Sequence, residues 1–169
     1  LINTFVYEGL GTKDQTGPML YDSFWGEFEE QISAKDNYYN HYLYQGWQHW
    51  GMGIGTPLLP GPVYNKNGQI TFISNRVLAH HIGFSGSPCH SLGYRVLLSY
   101  SRHWGTYDNP LNEIKKQFNS LFEITYAPQR LKGWSFTVSG AMDRGSMLGN
   151  NYGGMLVIRK QGIIKSSYK

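Results

Sequence analysis

A strict alternation of apolar and polar residues runs through the segment GWSFTVSGAMDRG, residues 133–145. Large apolar side chains occupy most even positions there, whereas the odd positions hold small or polar residues. Because successive side chains of a β-strand point to opposite faces of a sheet, the pattern predicts a strand with one apolar and one polar face. A soluble sheet buries its apolar face in a core, whereas a transmembrane barrel turns that face to lipid and its polar face to a lumen. This segment alone leaves both possibilities open.

The same two-residue period recurs in neighbouring segments. We predict further strands in 75–86, 94–102, 120–127 and 152–160, and the opening residues 1–9 are also strand-like. These strands follow one another without room for helical crossovers, so the sheet should be antiparallel. We therefore predict an all-β fold: an antiparallel up-and-down transmembrane β-barrel, or the C-terminal section of one, with long irregular loops.

The predicted connections also bear on the choice between a soluble and a transmembrane sheet. Residues 128–133 form a short turn, whereas 103–118 and 143–151 are expected to be longer loops. Successive connections of an up-and-down barrel alternate between its two ends, and outer-membrane barrels keep their short turns on the periplasmic side. The two longer loops are thus expected at the cell surface. Tyr126 and Trp134 flank the short turn, where an interfacial aromatic girdle would lie.

Composition agrees with a sheet and excludes some classes of partner. The chain has 21 Gly and 15% aromatic residues, which favours strands and turns. No apolar run approaches the roughly 20 residues that a transmembrane helix needs. The formal net charge of +4 comes from scattered Lys and Arg residues, so no basic stripe indicates nucleic acid. The single cysteine, Cys89, excludes an internal disulfide and has no partners at metal-ligand spacing.

The domain organisation is predicted to be one barrel portion over residues 1–169, with an N-terminal part of the full protein preceding it. The chain opens within a strand-like segment and without an initiator Met, which favours this interpretation. Residues 11–69 are rich in Gly, Pro and aromatic residues and have poor periodicity. We predict a long irregular or loop-rich segment there, which is uncommon in a compact domain.

Five long motifs resemble one family of outer-membrane proteins. They are QTGPMLYD, DNYYNHYLYQGWQHWGMGIGTPLL, NRVLAHHIGFSG, YRVLLSYSRHWGTYDNPL and GWSFTVSGAMDRGSMLGNNYGGMLVIRKQG. In this order they are similar to the C-terminal part of the capsule assembly protein Wzi family, in particular to its Bacteroidetes members. The resemblance covers nearly the whole chain and implies an outer-membrane β-barrel of Gram-negative bacteria, linked to surface attachment of capsular polysaccharide without known catalysis. It assigns no ligand-binding residue to this chain.

We therefore predict a non-enzymatic outer-membrane protein for capsule or surface-polysaccharide assembly, without a cofactor. Its expected partners are that polysaccharide, outer-membrane lipid and other outer-membrane proteins. Two alternatives remain: an outer-membrane channel for small solutes or oligosaccharides, and a soluble all-β carbohydrate-binding protein or glycosidase. The soluble alternative requires that the even-numbered residues of 94–100, 122–126 and 134–142 are buried in a core.

Aromatic side chains are the candidates for polysaccharide binding, because flat ring faces stack on sugar rings. Trp104, Tyr107 and Asp108 lie in the predicted outer loop, and binding residues are often found on surface loops. Trp47 and Trp50 in the irregular segment are the second candidates. For both groups the alternative is packing within an ordered loop or turn.

Three polar residues are predicted to face the barrel lumen: His81, Arg95 and Glu123, each at a polar position of its strand. His80 precedes His81, but adjacent strand residues point to opposite faces and do not easily hold one metal ion. Structural hydrogen bonding is the expected role of this pair. We predict no metal site and no catalytic residue.

Overall fold

The computed structural model describes residues 1–14, 48–49, 52–53, 58–59, 63–64 and 70–162. These residues contain ten β-strands: β1 Thr4–Gly11, β2 Gln48–His49, β3 Met52–Gly53, β4 Val63–Tyr64, β5 Ile70–Thr71, β6 Val77–Cys89, β7 Leu92–Gly105, β8 Pro110–Tyr126, β9 Trp134–Gly145 and β10 Asn151–Lys160. No helix in this part of the chain is long and apolar enough to cross a membrane. Most of the predicted irregular segment, 11–69, lies outside the described residues.

Six strands form one antiparallel up-and-down sheet in the order β1-β6-β7-β8-β9-β10. The four two-residue strands form two separate ladders, β2 with β3 and β4 with β5. The prediction of an all-β, antiparallel up-and-down fold is thus confirmed. The sheet has β1 and β10 at its two edges, so the described residues form an open sheet and closure into a barrel stays a prediction.

The predicted long loop at 103–118 is wrong. Strand β7 continues to Gly105 and β8 begins at Pro110, so only residues 106–109 connect them. The first half of β8, LNEIKKQF, has polar residues at both odd and even positions, so it lacks the alternation that reveals a half-buried strand. Proline is tolerated as the first residue of a strand, where its missing N–H removes no ladder bond.

The lengths of the observed connections bear on which end of the sheet would be periplasmic. Residues 90–91 and 127–133 connect strands at one end of the sheet, and 106–109 and 146–150 connect them at the other. Because 127–133 is not shorter than 106–109, these four connections do not distinguish a periplasmic end. The connection from β1 to β6, residues 12–76, is much longer and belongs to the same end as 106–109.

The chain divides into two compact units. Unit 1 comprises Leu1–Glu8, His81–Ser99 and Phe118–Lys169, and unit 2 comprises Gly9–His80 and Tyr100–Gln117. The buried apolar side chains of the described residues all belong to unit 2: Leu59, Phe72, Val77 and Ala79. Among the described residues of unit 1 no large apolar side chain is buried.

The register of β9 and β10 sorts the side chains of unit 1 onto two faces. Val138 lies opposite Leu156, whereas Ser139 lies opposite Met155 on the other face. Val138 is 59% exposed and Leu156 is 66% exposed. None of the even-numbered residues of 94–100, 122–126 and 134–142 is buried. The apolar face is therefore not buried as a core among the described residues.

Candidate functional site

The polar face of unit 1 carries a connected set of side chains from three strands. The Arg95 guanidinium donates to Glu123 Oε2 at 3.2 Å, and Ser139 Oγ donates to the same oxygen at 3.2 Å. Arg95 is half-exposed, Glu123 is mostly covered, and Ser139 is buried. One carboxylate thus links β7 to β8 and β8 to β9, which favours a single register of these strands.

Further hydrogen bonds extend this face in both directions. His81 Nδ1 lies 2.6 Å from Ser99 Oγ and joins β6 to β7. Two more bonds join β8 to β9: Thr125 Oγ1 with Thr137 Oγ1 at 2.9 Å, and Asn119 Nδ2 to Asp143 Oδ1 at 2.7 Å. All these residues occupy odd positions of β6 to β9, so they share one face. The polar side chains therefore satisfy one another across the sheet.

Part of this face forms an open groove of about 410 Å³. Its polar lining comes from Thr4, Glu8, His81, Ser85, Arg95 and Ser99. Two of the three predicted lumen-facing residues, His81 and Arg95, thus line one groove, and the third, Glu123, is bound to Arg95. The three side chains share one face of the sheet, and their position in a barrel lumen stays a prediction because the sheet is open. Apolar residues also line the groove: Val6, Ile82, Phe84, Leu97 and Leu98. A groove of this size has room for a small solute or a sugar residue.

Trp104 lies within a group of cationic and aromatic side chains in unit 2. Lys13 Nζ lies 5.7 Å and Arg102 Cζ lies 5.1 Å from the Trp104 ring centroid. Arg76 Cζ lies 4.4 Å from the Tyr107 ring centroid, and Tyr107 Oη donates to the Lys13 carbonyl at 2.6 Å. Cation–π contacts at these distances are attractive. We call Lys13, Arg76, Arg102, Trp104 and Tyr107 the cation–aromatic cluster.

Backbone contacts position this cluster. The Trp104 amide donates to the Arg76 carbonyl at 3.0 Å and so ties the end of β7 to the residue before β6. Thr12 Oγ1 donates to the Asn75 carbonyl at 2.7 Å and accepts from the Val77 amide at 2.9 Å. Lys13 follows Thr12 directly, so these bonds hold Lys13 beside Arg76.

The hydroxyl of Tyr107 is a donor at neutral pH. Burial raises the pKa of Tyr107 above its ordinary value of 10.0, and the nearby Asp14 acts in the same direction. The positive charge of Arg76 opposes both effects by lowering that pKa. The pKa of Tyr107 is raised overall, so its hydroxyl keeps the proton that it donates to the Lys13 carbonyl.

The structure only partly places the predicted polysaccharide-binding residues as expected. Trp104 lies in β7 and not in an outer loop, because the strand extends to Gly105. Tyr107 and the exposed Asp108 do lie in a connection, 106–109. Trp47 and Trp50 lie outside the described residues.

Sequence reasoning missed the three cations of the cluster, Lys13, Arg76 and Arg102. They are far apart in the chain, and only the pairing of β1, β6 and β7 brings them together. The local signal was weak, since Arg76 and Arg102 each stand alone at the end of an alternating segment. A search for cations at the ends of apolar strand faces would have found them.

The described residues contain no group of three or more His, Cys, Asp or Glu side chains that could hold a metal ion. Comparisons of the chain with protein-family models, with curated proteins and with solved structures find no match. The resemblance to the Wzi family therefore rests on the sequence motifs.

Proposed function

We propose that the chain forms part of an outer-membrane β-barrel that serves the assembly or attachment of capsule or other surface polysaccharide, without catalysis. The exposed apolar face of unit 1 carries the membrane part of this proposal. Exposed fractions on that face include 50% for Phe122, 59% for Val138 and 66% for Leu156. Contact with water would cost such a face roughly 25 cal/mol for each Å² of apolar surface, whereas lipid removes this cost.

The polar face supports the same placement. Its hydroxyl, carboxylate, imidazole and guanidinium groups bond to one another, as the lumen side of a barrel requires. The strands β6 to β9 each have at least the roughly 9–11 residues that cross a bilayer. Because unpaired strand edges are costly in lipid, we propose that β1 and β10 pair with further strands of the barrel.

Labelling of introduced cysteines tests the membrane topology. Cys89, which is exposed and free, is first replaced with Ser. Ser146→Cys, in the connection 146–150, should react with a membrane-impermeant thiol reagent on whole cells. Gln129→Cys, in the connection 127–133, should react only after the outer membrane is opened. Labelling of both positions on intact cells would contradict the transmembrane placement, and the reverse pattern would invert the barrel.

Capsule retention tests the polysaccharide part. Cells that lack the full protein should release surface polysaccharide into the medium, and the wild-type protein should restore the cell-bound fraction. Unchanged retention in the deletion strain would reject a role in attachment. This result is independent of the labelling pattern, so the two parts of the proposal can fail separately.

A channel is the second candidate function, and the groove on the polar face favours it. The groove contains Arg95 and Glu8, and charged groups of this kind set the selectivity of a polar lumen. The purified protein in planar bilayers should then show stepwise conductance whose ion preference changes in Arg95→Gln. The absence of conductance would favour a plugged or purely adhesive barrel.

A further inference from the structure

The cation–aromatic cluster lies on the apolar face of its strands. Arg102 and Trp104 occupy even positions of β7, as does Tyr100, which is 40% exposed. The odd residues between them, Ser101 and His103, are 2% and 3% exposed and lie on the opposite face. The same strand face therefore presents Tyr100, then Arg102, then Trp104 toward its end.

The other two cations reach this face from the turn after β1 and from the residue before β6. Trp104 donates its amide proton to the Arg76 carbonyl, which places Arg76 opposite Trp104 in the sheet. A Cβ on Gly11 would lie 3.7 Å from Leu78 Cδ1, and Leu78 is 37% exposed. Gly11, the last residue of β1, thus lies on the face of Leu78, and Lys13 two residues later reaches the Trp104 ring on this face.

Among the described residues, the three cations of the cluster outnumber the acidic residues near it, Asp14 and Asp108. In the part of the chain that the structure describes, Lys13, Arg76 and Arg102 make no ion pair with a carboxylate. The acidic residues nearby in sequence, Asp14 and Asp108, are both exposed. A ligand that completes this cluster should therefore carry negative charge.

We propose that the cation–aromatic cluster binds the phosphate group of an anionic membrane lipid, an inference that rests on the membrane part of the proposed function. Trp and Tyr side chains concentrate at the headgroup level of membrane proteins, and Lys and Arg near the ends of apolar spans extend to the same level. Guanidinium groups bind phosphate oxygens in pairs of parallel hydrogen bonds. A neutral sugar stacked on Trp104 would leave the three cations without an ion-pair partner among the described residues, so lipid phosphate fits the cluster better than neutral polysaccharide.

Lipid binding by the purified full protein in detergent tests this site. The probes are phosphatidylglycerol, which is anionic, and phosphatidylcholine, which is zwitterionic, with affinities measured by native mass spectrometry. Wild type should prefer phosphatidylglycerol, and K13Q/R102Q should lose at least about tenfold of that affinity, because each cation near a lipid surface contributes about fivefold, or about 1 kcal/mol. The control R130Q/K132Q removes two charges from the connection 127–133 and should change the affinity by less than about twofold.

If the double variant does not fold, the single variant K13Q tests the site. K13Q should fold, because the Lys13 side chain is exposed and makes no hydrogen bond in the described structure. It should lower the affinity for phosphatidylglycerol about fivefold. Equal affinity of wild type for both lipids, or an equal loss in the control, would overturn the site. Protease protection of the protein in vesicles would then show that the membrane proposal stands without it.

Binding of inorganic phosphate by a protein that does not enter vesicles would overturn the lipid assignment together with the membrane proposal. An acidic polysaccharide is the other ligand to test. If it binds saturably, if Trp104→Leu abolishes that binding and if phosphatidylglycerol does not displace it, the cluster binds glycan and the lipid assignment is overturned. Displacement of that polysaccharide by phosphatidylglycerol would support the lipid site.

Discussion

Val138 and Ser139 are neighbours in β9, yet their side chains differ strongly in exposure to solvent. Val138 is 59% exposed and faces Leu156 across the ladder, whereas Ser139 is 5% exposed and donates to Glu123. A sheet in water covers the apolar residue and exposes the polar one. Here the side chains of the polar face hydrogen-bond to one another, whereas the apolar face stays exposed among the described residues. We propose that lipid covers it.

In unit 2, too, the buried residues of β6 lie at odd positions. Val77 and Ala79, at odd positions of β6, are both 0% exposed, whereas Leu78 between them is 37% exposed. Leu59 and Phe72 pack with these odd-numbered residues in the small buried cluster. In each unit, then, the side chains that the chain itself buries on its strands lie at odd positions of β6 to β9. What differs is that unit 2 buries the apolar Val77 and Ala79 there together with the polar Ser101, His103 and Gln117, whereas the buried strand side chain among the described residues of unit 1 is the polar Ser139.

The largest expected effect comes from a charge on the exposed apolar face. Val138→Lys should lower the free energy of unfolding in lipid vesicles by about 2–4 kcal/mol if the site lies near the bilayer midplane. Thr137→Lys, at nearly the same depth but on the polar face, should cost only about 1 kcal/mol through loss of its bond to Thr125. Urea unfolding in vesicles measures both. Equal losses would remove the distinction between the two faces.

The second effect concerns the shared carboxylate of the polar face. Glu123→Ala removes the bonds from Arg95 and Ser139 and should lower the free energy of unfolding by about 1–2 kcal/mol, since Ser139 is buried and Arg95 is half-exposed. Glu113→Ala, an exposed residue of the same strand, should cost less than about 0.5 kcal/mol. Similar losses in both variants would show that the hydrogen bonds of the polar face contribute nothing specific.

Strand positions were predictable from sequence where the two faces differ in polarity. The segment 133–145 contains β9, Trp134–Gly145, because its apolar and polar residues alternate without interruption. The first half of β8 was missed because Glu113 and Lys116 place charge on both of its faces. Its strand conformation comes from backbone pairing with neighbours, which a local hydropathy pattern does not contain.

The candidate sites were predictable to different extents for a related reason. Alternation alone placed His81, Arg95 and Glu123 on one face, because the side-chain period within a strand is fixed. The pairing of Arg95 with Glu123 depends on the register between two strands, and that register is set by contacts distant in sequence. The cation–aromatic cluster depends on register among three strands, so its members could not be grouped from the sequence.

The smallest expected effect concerns Tyr107, which lies in the connection 106–109 and not on either face of the sheet. Burial raises the pKa of Tyr107 above 10.0, so the folded state holds the phenolic proton more tightly than the unfolded state does. The stabilisation is therefore fully present below pH 10.0 and is lost as the pH rises through the higher pKa of the folded state. Tyr107→Phe should lower the free energy of unfolding by up to about 1 kcal/mol at neutral pH, through loss of the bond to the Lys13 carbonyl, and should flatten the decline above pH 10.0. Unfolding measured at several pH values in wild type and variant checks both statements. Parallel curves above pH 10.0 would mean that the Tyr107 hydroxyl is no better held in the folded chain than in water.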